Sequence, residues 1–315
     1  MTSRRLIITN GDSAVQNLQA QGIGHQILAW QDVLHDGPVP GGIAPRPLAE
    51  ARARFIAERG WASFEEAFKG LTERDRRLAD LSGFEEVVLW FEHDLYDQLQ
   101  LIQVLDRLAG TPGSIALTMI TAAQYVGQLE RDEARDLWES RKFIGGAPRE
   151  LAGRAWAAFT AEKEDVLPAF AASDTSALPF LGPAFKRLLE ERPGLDGLAR
   201  SERQVLEVLA GGGGPLPAIK LYPRAHHQRE EPVWLGDLSF AWYVERLAQG
   251  RVPLIGRGDG KPAAPWADGE RAFWEQTLRI TNAGRDVLAG RANHARLNGI
   301  DRWMGGVRLR VVAGA

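Results

Sequence analysis

Residues 85–98 read Glu85-Glu86-Val87-Val88-Leu89-Trp90-Phe91-Glu92-His93-Asp94-Leu95-Tyr96-Asp97-Gln98, and their order decides the fold. Val87 to Phe91 is a short apolar, β-branched and aromatic run, the composition of a buried strand. It stops at three ionisable residues, Glu92, His93 and Asp94. Leu95, Leu99, Ile102, Leu105 and Leu108 then recur at helical spacing, so a helix follows at once. A buried strand running into a charged turn and then a helix is half of a βαβ unit. In open α/β sheets ligands bind outside that carboxyl edge.

The same grammar surrounds this stretch. Arg5 to Thr9 reads as a first strand, Asn10-Gly11-Asp12-Ser13 as a turn, and Ala14 to Gln21 as a helix for which Asp12 or Ser13 makes a good N-cap. Gln26 to Trp30 reads as a second strand. It ends in Asp32, His35 and Asp36 within a loop stiffened by Pro38, Pro40 and glycines 37, 41 and 42. Helices are expected over 47–58, 62–69 and 72–80, with Arg46, Arg52 and Arg54 either solvated or reaching an anionic ligand. Ser114 to Ile120 is a fourth strand, ending near Thr121 and Gln124, and helices are expected over 128–141 and 148–172. Strands alternating with helices imply an α/β fold with a mostly parallel sheet of four or more strands, wrapped by helices.

If the strands run parallel, their turns share one rim. A glycine turn opening onto a helix N-terminus offers free N–H groups to an anion, so Asn10, Gly11, Asp12 and Ser13, with Asp36 and Gln98, are the candidate ligand-binding residues. His35, His93, Asp94, Glu92 and Asp32 are the candidate acid–base residues. His35, His93 and Asp94 are the set for a metal, should one bind through nitrogen and oxygen. The alternative is that these polar residues only cap turns. Gly11-Asp12-Ser13 also invites a serine-hydrolase reading, but no late Asp-x-x-His completes a triad.

The bulk numbers narrow the class. The chain has 315 residues, a hydrophobic fraction of 44%, a charged fraction of 25% and no cysteine. Those are globular values with length for about two domains. The absence of cysteine excludes disulfides and thiolate chemistry. No basic-then-apolar start is visible in residues 1–30 and no apolar run approaches a bilayer span, so a cytoplasmic location and no membrane partner are expected. Residues 200–315 carry 17 Lys and Arg against 12 Asp and Glu, while 1–199 carry 21 against 29. An acidic front half is a poor binder of nucleic acid; the rear could touch phosphate.

The rear half reads differently. Residues 173–200, with Pro179, Pro183 and Pro193, look like a linker holding a short helix over 180–191. Ser201 starts a helix carrying Val205, Leu206 and Leu209. A helix over about 238–248 bears Phe240, Trp242, Tyr243 and Leu247. Val252–Ile255 and Thr277–Ile280 read as strands flanking a Gly/Pro-rich tip. The ending Thr281-x-x-Gly284-Arg285-x-x-Leu288 is that of a winged-helix-like α+β domain, with the threonine as helix cap. The domains expected are therefore 1–172 (α/β, ligand-binding), 173–200 (linker), 201–291 (winged-helix-like) and 292–315, an ordered tail docked on the body. Asp301 and Arg302 in that tail are further site candidates. The helix over 238–248 holds only Arg246 as a basic residue, so it reads as built for packing more than for groove contacts.

Ile8-Thr9-Asn10-Gly11-Asp12-Ser13, Trp30-x-Asp32 through Gly37-Pro38, and Leu89 to Gln98 together resemble the bacterial domain-of-unknown-function family 1835. Leu297-Asn298-Gly299-Ile300-Asp301-Arg302-Trp303 resembles the end of its longer members. The front resemblance spans roughly residues 5–125. It implies an α/β domain and carries no assigned activity. The function expected is binding of a small anionic ligand, a nucleotide or phosphoester, at the sheet's carboxyl edge, with hydrolysis or group transfer as the reaction class. The alternative is a ligand-responsive, DNA-binding transcription regulator using 201–291. The sequence names no cofactor and leaves room for a homo-oligomer.

Overall fold

The computed structural model describes residues 4–24 and 26–314. The chain forms two compact units. One comprises Met1–Ile56, Ser63–Lys186 and Trp303–Val307; the other comprises Ala57–Ala62, Arg187–Arg302 and Arg308–Ala315. No helix among the described residues is long and apolar enough to cross a membrane.

The first unit runs β1 (Arg5–Thr9), α1 (Asp12–Ala20), β2 (Ile27–Ala29), α2 (Pro45–Glu58), α3 (Phe64–Ala79), β3 (Glu86–Trp90), α4 (Leu95–Arg107), β4 (Ala116–Ile120), α5 (Arg131–Glu139), β5 (Lys142–Phe143), α6 (Gly146–Phe159), α7 (Val166–Ala171) and the start of α8 (Leu181–Leu189). Its sheet has the order β2-β1-β3-β4-β5. The first four strands are parallel, in registers that align Thr9 with Ala29 and Trp90, and Trp90 with Ile120. The four expected strands are thus present, and their carboxyl ends lie along one edge. β5 pairs antiparallel with β4; at two exposed residues it has no alternation to read in the sequence.

Strand alternation sends Ile7, Val88, Trp90 and Ile120 to one face, where they pack with Ala14 and Leu18 of α1 and Ala134 of α5. α4 connects β3 to β4 in the opposite lateral direction to α1, and right-handed crossovers put such helices on opposite faces. It buries Leu99, Ile102 and Leu105 together with Gln98, Gln100 and Gln103. Gln103 accepts a 2.8 Å hydrogen bond from the Trp30 indole at the end of β2.

Two helix expectations change. The pieces 62–69 and 72–80 are one helix, α3, running through Gly70. A lone glycine weakens a helix by only about 1 kcal/mol, and α3 starts with a full capping box between Ser63 and Glu66. The expected helix 148–172 is broken into α6 and α7. α6 ends at Phe159, and Pro168 falls in the first turn of α7, where its missing N–H needs no helical partner.

The second unit holds α9 (Arg200–Gly211), β6 (Leu216–Pro217), α10 (Ala218–Tyr222) with a π turn at Pro223–His227, α11 (Asp237–Gln249), β7 (Ile255–Arg257), α12 (Glu270–Glu275), β8 (Thr277–Ile280), α13 (Asn282–Leu288) and α14 (His294–Asn298). β9 (Ile300–Met304) and β10 (Val307–Val311) pair as a two-stranded sheet. A three-stranded antiparallel sheet has the order β6-β8-β7. The expected strand 252–255 begins later, at Ile255, because Pro253 offers no ladder N–H.

Residues 173–200 are not an open linker. Leu178, Leu181, Phe185 and Leu188 are buried, and the division between units falls inside α8. On its far side Arg187 pairs with Glu191 and Glu230, each at 2.7 Å. Burial opposes ionisation of Glu191, but the charges of Arg187 and Arg302 outweigh it and hold this carboxyl down at about 2. The tail is ordered, as expected. Its tip, Trp303–Val307, belongs to the first unit, where Gly305 accepts a 2.8 Å hydrogen bond from Val39 N in the loop after β2.

Thr281 caps α13 as expected, accepting from Gly284 N at 3.1 Å, and its hydroxyl donates to Pro253 O at 2.8 Å. Thr281→Ala is expected to lower stability by about 1–2 kcal/mol, the usual loss for such a cap. Urea titration measures this.

Candidate functional site

The chain leaves β1 for β2 on one side and β3 for β4 on the other. The carboxyl edge between β1 and β3 is therefore the point where the winding direction reverses, and a crevice opens there in sheets of this order. Asn10 and Gly11 follow β1; Glu92, His93 and Asp94 follow β3.

Asp94 is the N-cap of α4, accepting from Asp97 N at 3.1 Å. Asp97, one turn in, reaches back and accepts from Glu92 N at 2.6 Å through one oxygen and from the Asn10 amide at 2.8 Å through the other. The amide of Gln98 donates to Glu92 O at 2.7 Å. The Glu92 carboxylate accepts from Val126 N at 2.7 Å, in the 3₁₀ turn Val126–Gln128 that follows β4. That turn is held against α1 by Asn17, whose amide donates to Val126 O and Leu129 O. Its Gly127 lies close to α1, where a Cβ would come within 2.5 Å of the Ser13 hydroxyl. Asn10, Glu92, Asp94 and Gln98 are thus linked through hydrogen bonds around Asp97, and Ser13 lies beside Gly127 of the adjoining turn.

The sequence reading missed Asp97, although Asp94-x-x-Asp97 has the N-cap-to-third-residue spacing at which an acidic side chain folds back on its own helix start. It also missed Gly127. The N-cap of α1 is Gly11, not Asp12 or Ser13, and no side chain caps it. Asp12 and Ser13 are instead exposed first-turn residues.

Glu92, Asp94 and Asp97 offer carboxylate oxygens within 4.8 Å of one another, and all three side chains are buried. Burial pushes all three pKa values up. Asp94 and Asp97 rise well above the carboxylate range, because the neighbouring negative charges add to the desolvation. Glu92 is raised less, since hydrogen bonds from Val126 N and Asn10 oppose its desolvation. Such a cluster can hold protons at a higher pH than ordinary carboxylates do and deliver them, or it can take a cation. Its all-oxygen donor set suits a hard divalent ion such as magnesium or calcium. This is the ligating group found among the described residues, and it replaces His35, His93 and Asp94 as the set for a metal.

Asp32, Asp36, Asp301 and Arg302 are engaged elsewhere. Asp32 accepts two hydrogen bonds from the Arg52 guanidinium, at 3.0 and 2.8 Å. Arg52 also donates to the carbonyls of Val33, at 3.0 Å, and Asp36, at 2.7 Å. Arg52 is therefore a buried strut of the loop after β2, neither solvated nor free to meet a ligand. The Asp36 carboxylate accepts from Gly37 N at 2.8 Å. His35 is buried with its ring 6.2 Å from that of Tyr96, and His93 lies among rings, 5.2 Å from Tyr125 and 5.7 Å from Phe180. Thr121 and Gln124 are exposed. Arg302 belongs to the second unit, buried 3.8 Å from Glu191 and over the Tyr243 ring. Asp301 pairs there with Arg308 at 2.7 Å.

No family model matches this sequence, and no curated protein matches it.

Proposed function

We propose that the chain binds a small phosphoester or nucleotide at the carboxyl edge between β1 and β3, in the manner of Rossmann-like sheets, and acts on it by hydrolysis or group transfer. The observation that carries this reading is the buried trio Glu92, Asp94 and Asp97 at the point of reversed winding, with pKa values pushed apart from those of ordinary carboxylates. A protonated Asp94 or Asp97 can donate to a phosphoester oxygen, as a general acid must at neutral pH. The uncapped first turn of α1, with Gly11 and Ser13, supplies N–H groups for the anion. His93 and His35 remain candidates for the complementary base.

The test is a thermal-shift and turnover screen of nucleoside phosphates and phosphomonoesters, with and without magnesium. A hit that Asp94→Asn and Asp97→Asn both abolish supports the reading. A hit that survives both substitutions removes it.

A second reading is a ligand-responsive, DNA-binding regulator. It is favoured by the element order of the second unit: α9, β6, α10 and α11, then an antiparallel β6-β8-β7 sheet and the Thr281-capped α13, an order a winged helix would share. It ranks lower because of α11. That helix buries Phe240, Tyr243, Val244 and Leu247, and Arg246, its basic residue, is paired with Glu202 at 3.2 Å. Groove-reading helices present free Arg, Lys, Asn or Gln instead. Gel-shift titration with random-sequence duplex DNA is expected to give no complex at low salt; a complex that weakens steeply with added salt would restore this reading.

A further inference from the structure

The second unit contains a cavity of about 1170 Å³ that the proposed site does not use. It is walled by the loop after α8, the start of α9, the end of α13 and the segment entering α14. Five arginines line it: Arg192, Arg200, Arg203, Arg291 and Arg296. The acidic residues in the lining are Glu190 and Asp196, and each is already engaged, by Arg200 and Arg203 respectively. Arg291 is steadied by Asp286 at 2.6 Å, outside the lining. Between the guanidinia the wall is apolar, formed by Leu198, Val287, Leu288 and Leu297.

The walls are built, not loose. Asp196 O accepts from His294 N at 2.7 Å, and the Asn293 amide donates to Leu195 O at 2.9 Å. Gly197, at φ +79°, sits so close to α14 that a Cβ would lie 2.4 Å from Ala295 N. The loop 194–198 is therefore fixed against the segment it faces. At its lip Leu195 is fully exposed, an apolar side chain presented to solvent beside the arginines.

We infer that this cavity is a second binding site, for a nucleoside polyphosphate. Guanidinium forks match phosphate oxygens two at a time. Arg200, Arg203 and Arg291 each give part of their donors to a carboxylate; the donors left on Arg203, Arg291 and Arg296, spread over three elements, suit a ligand with more than one phosphate group. The apolar wall calls for a ligand with a flat, weakly polar body, and the volume holds a molecule of nucleotide size. A nucleic-acid backbone shares the phosphate chemistry, but a concave pocket with an apolar wall fits a free nucleotide better than a duplex. The site lies wholly in the second unit and does not rest on the function proposed for the first.

The experiment is calorimetric titration of the full chain with ATP in the presence of EDTA, which removes any dependence on a divalent ion. ATP binding controlled by these arginines is expected, with affinity falling as salt rises. The double variant Arg291→Glu, Arg296→Glu is expected to weaken it at least about tenfold, the loss of two charge-assisted hydrogen bonds. Leu195→Glu at the lip is expected to weaken it also. No binding, or binding indifferent to the arginine pair, overturns the inference. So does inorganic phosphate binding as tightly as ATP, which would mean an ion site only. A duplex oligonucleotide that binds while ATP does not, and is lost in the double variant, would replace the nucleotide with a nucleic-acid backbone. Loss of ATP binding in Asp94→Asn alone would move the site to the first unit.

Discussion

Replacing Arg52 with methionine is expected to destabilise the protein by about 3–5 kcal/mol, the range for removing one partner of a buried ion pair. Arg52 is 1% exposed. Its guanidinium carries both hydrogen bonds to Asp32 and satisfies the carbonyls of Val33 and Asp36. Methionine fills much of the volume but leaves Asp32 buried without its hydrogen-bonded partner, facing only the Coulombic attraction of Arg74. Adding Asp32→Asn to Arg52→Met is expected to restore part of the loss and not all, because the loop carbonyls stay without a donor. Urea denaturation of the three proteins measures this. A loss below about 1 kcal/mol for Arg52→Met, the ordinary cost of an arbitrary substitution, would contradict the account of the loop.

Asp94→Asn is expected to have the opposite effect on stability while abolishing function. Burial first, and the Glu92 charge second, hold the Asp94 carboxyl well above its usual range. An unfolded aspartate titrates near about 3.9. With the native value raised, the folded state binds the proton more tightly. The stability this group contributes is fully present below the unfolded value and is lost as pH rises toward the native one. Asparagine does not ionise, so the variant escapes that loss. It also keeps the helix cap, since asparagine accepts from Asp97 N as aspartate does. Melting curves taken upward from about pH 4 should therefore show the wild type falling relative to the variant, by about 1.4 kcal/mol for each pH unit in which the Asp94 carboxyl is ionised in the unfolded chain and still protonated in the folded one. Activity found in the screen should vanish in the same variant. A variant less stable than the wild type at the upper pH would contradict the burial argument. A site kept at the expense of fold stability is what catalytic constellations commonly look like.

Much of this was legible in the sequence because the relevant signals are local. Val87 to Phe91 followed by a charged turn and a leucine-spaced helix needs only near neighbours to be read, and so do the β1 turn and the Thr281 cap. The parallel rim follows from repeating that unit. What could not be read depends on partners far along the chain. Arg52 carries the same charge as its exposed neighbour Arg54, and only the fold puts Asp32 beside one of them. Asp97 sits where a helix position is ordinarily solvated, and its role appears once Asn10 arrives from a strand 87 residues away. Pro179, Pro183 and Pro193 punctuate a segment like a linker, yet Phe185 and Leu188 inside it are fully buried. Arg302 was placed with the rim on the strength of an ordered tail; its charge instead stabilises Glu191 in the second unit.

The central claim is that Glu92, Asp94 and Asp97 hold protons where ordinary carboxylates do not. Carbon-13 NMR titration of the side-chain carboxyls, assigned with the Asp94→Asn and Asp97→Asn variants, reads it directly and needs no ligand. The account predicts that the Asp94 and Asp97 signals change well above the carboxylate range and that each substitution shifts the other's midpoint, as coupled groups must. All three carboxyls titrating independently near their unfolded values would contradict it.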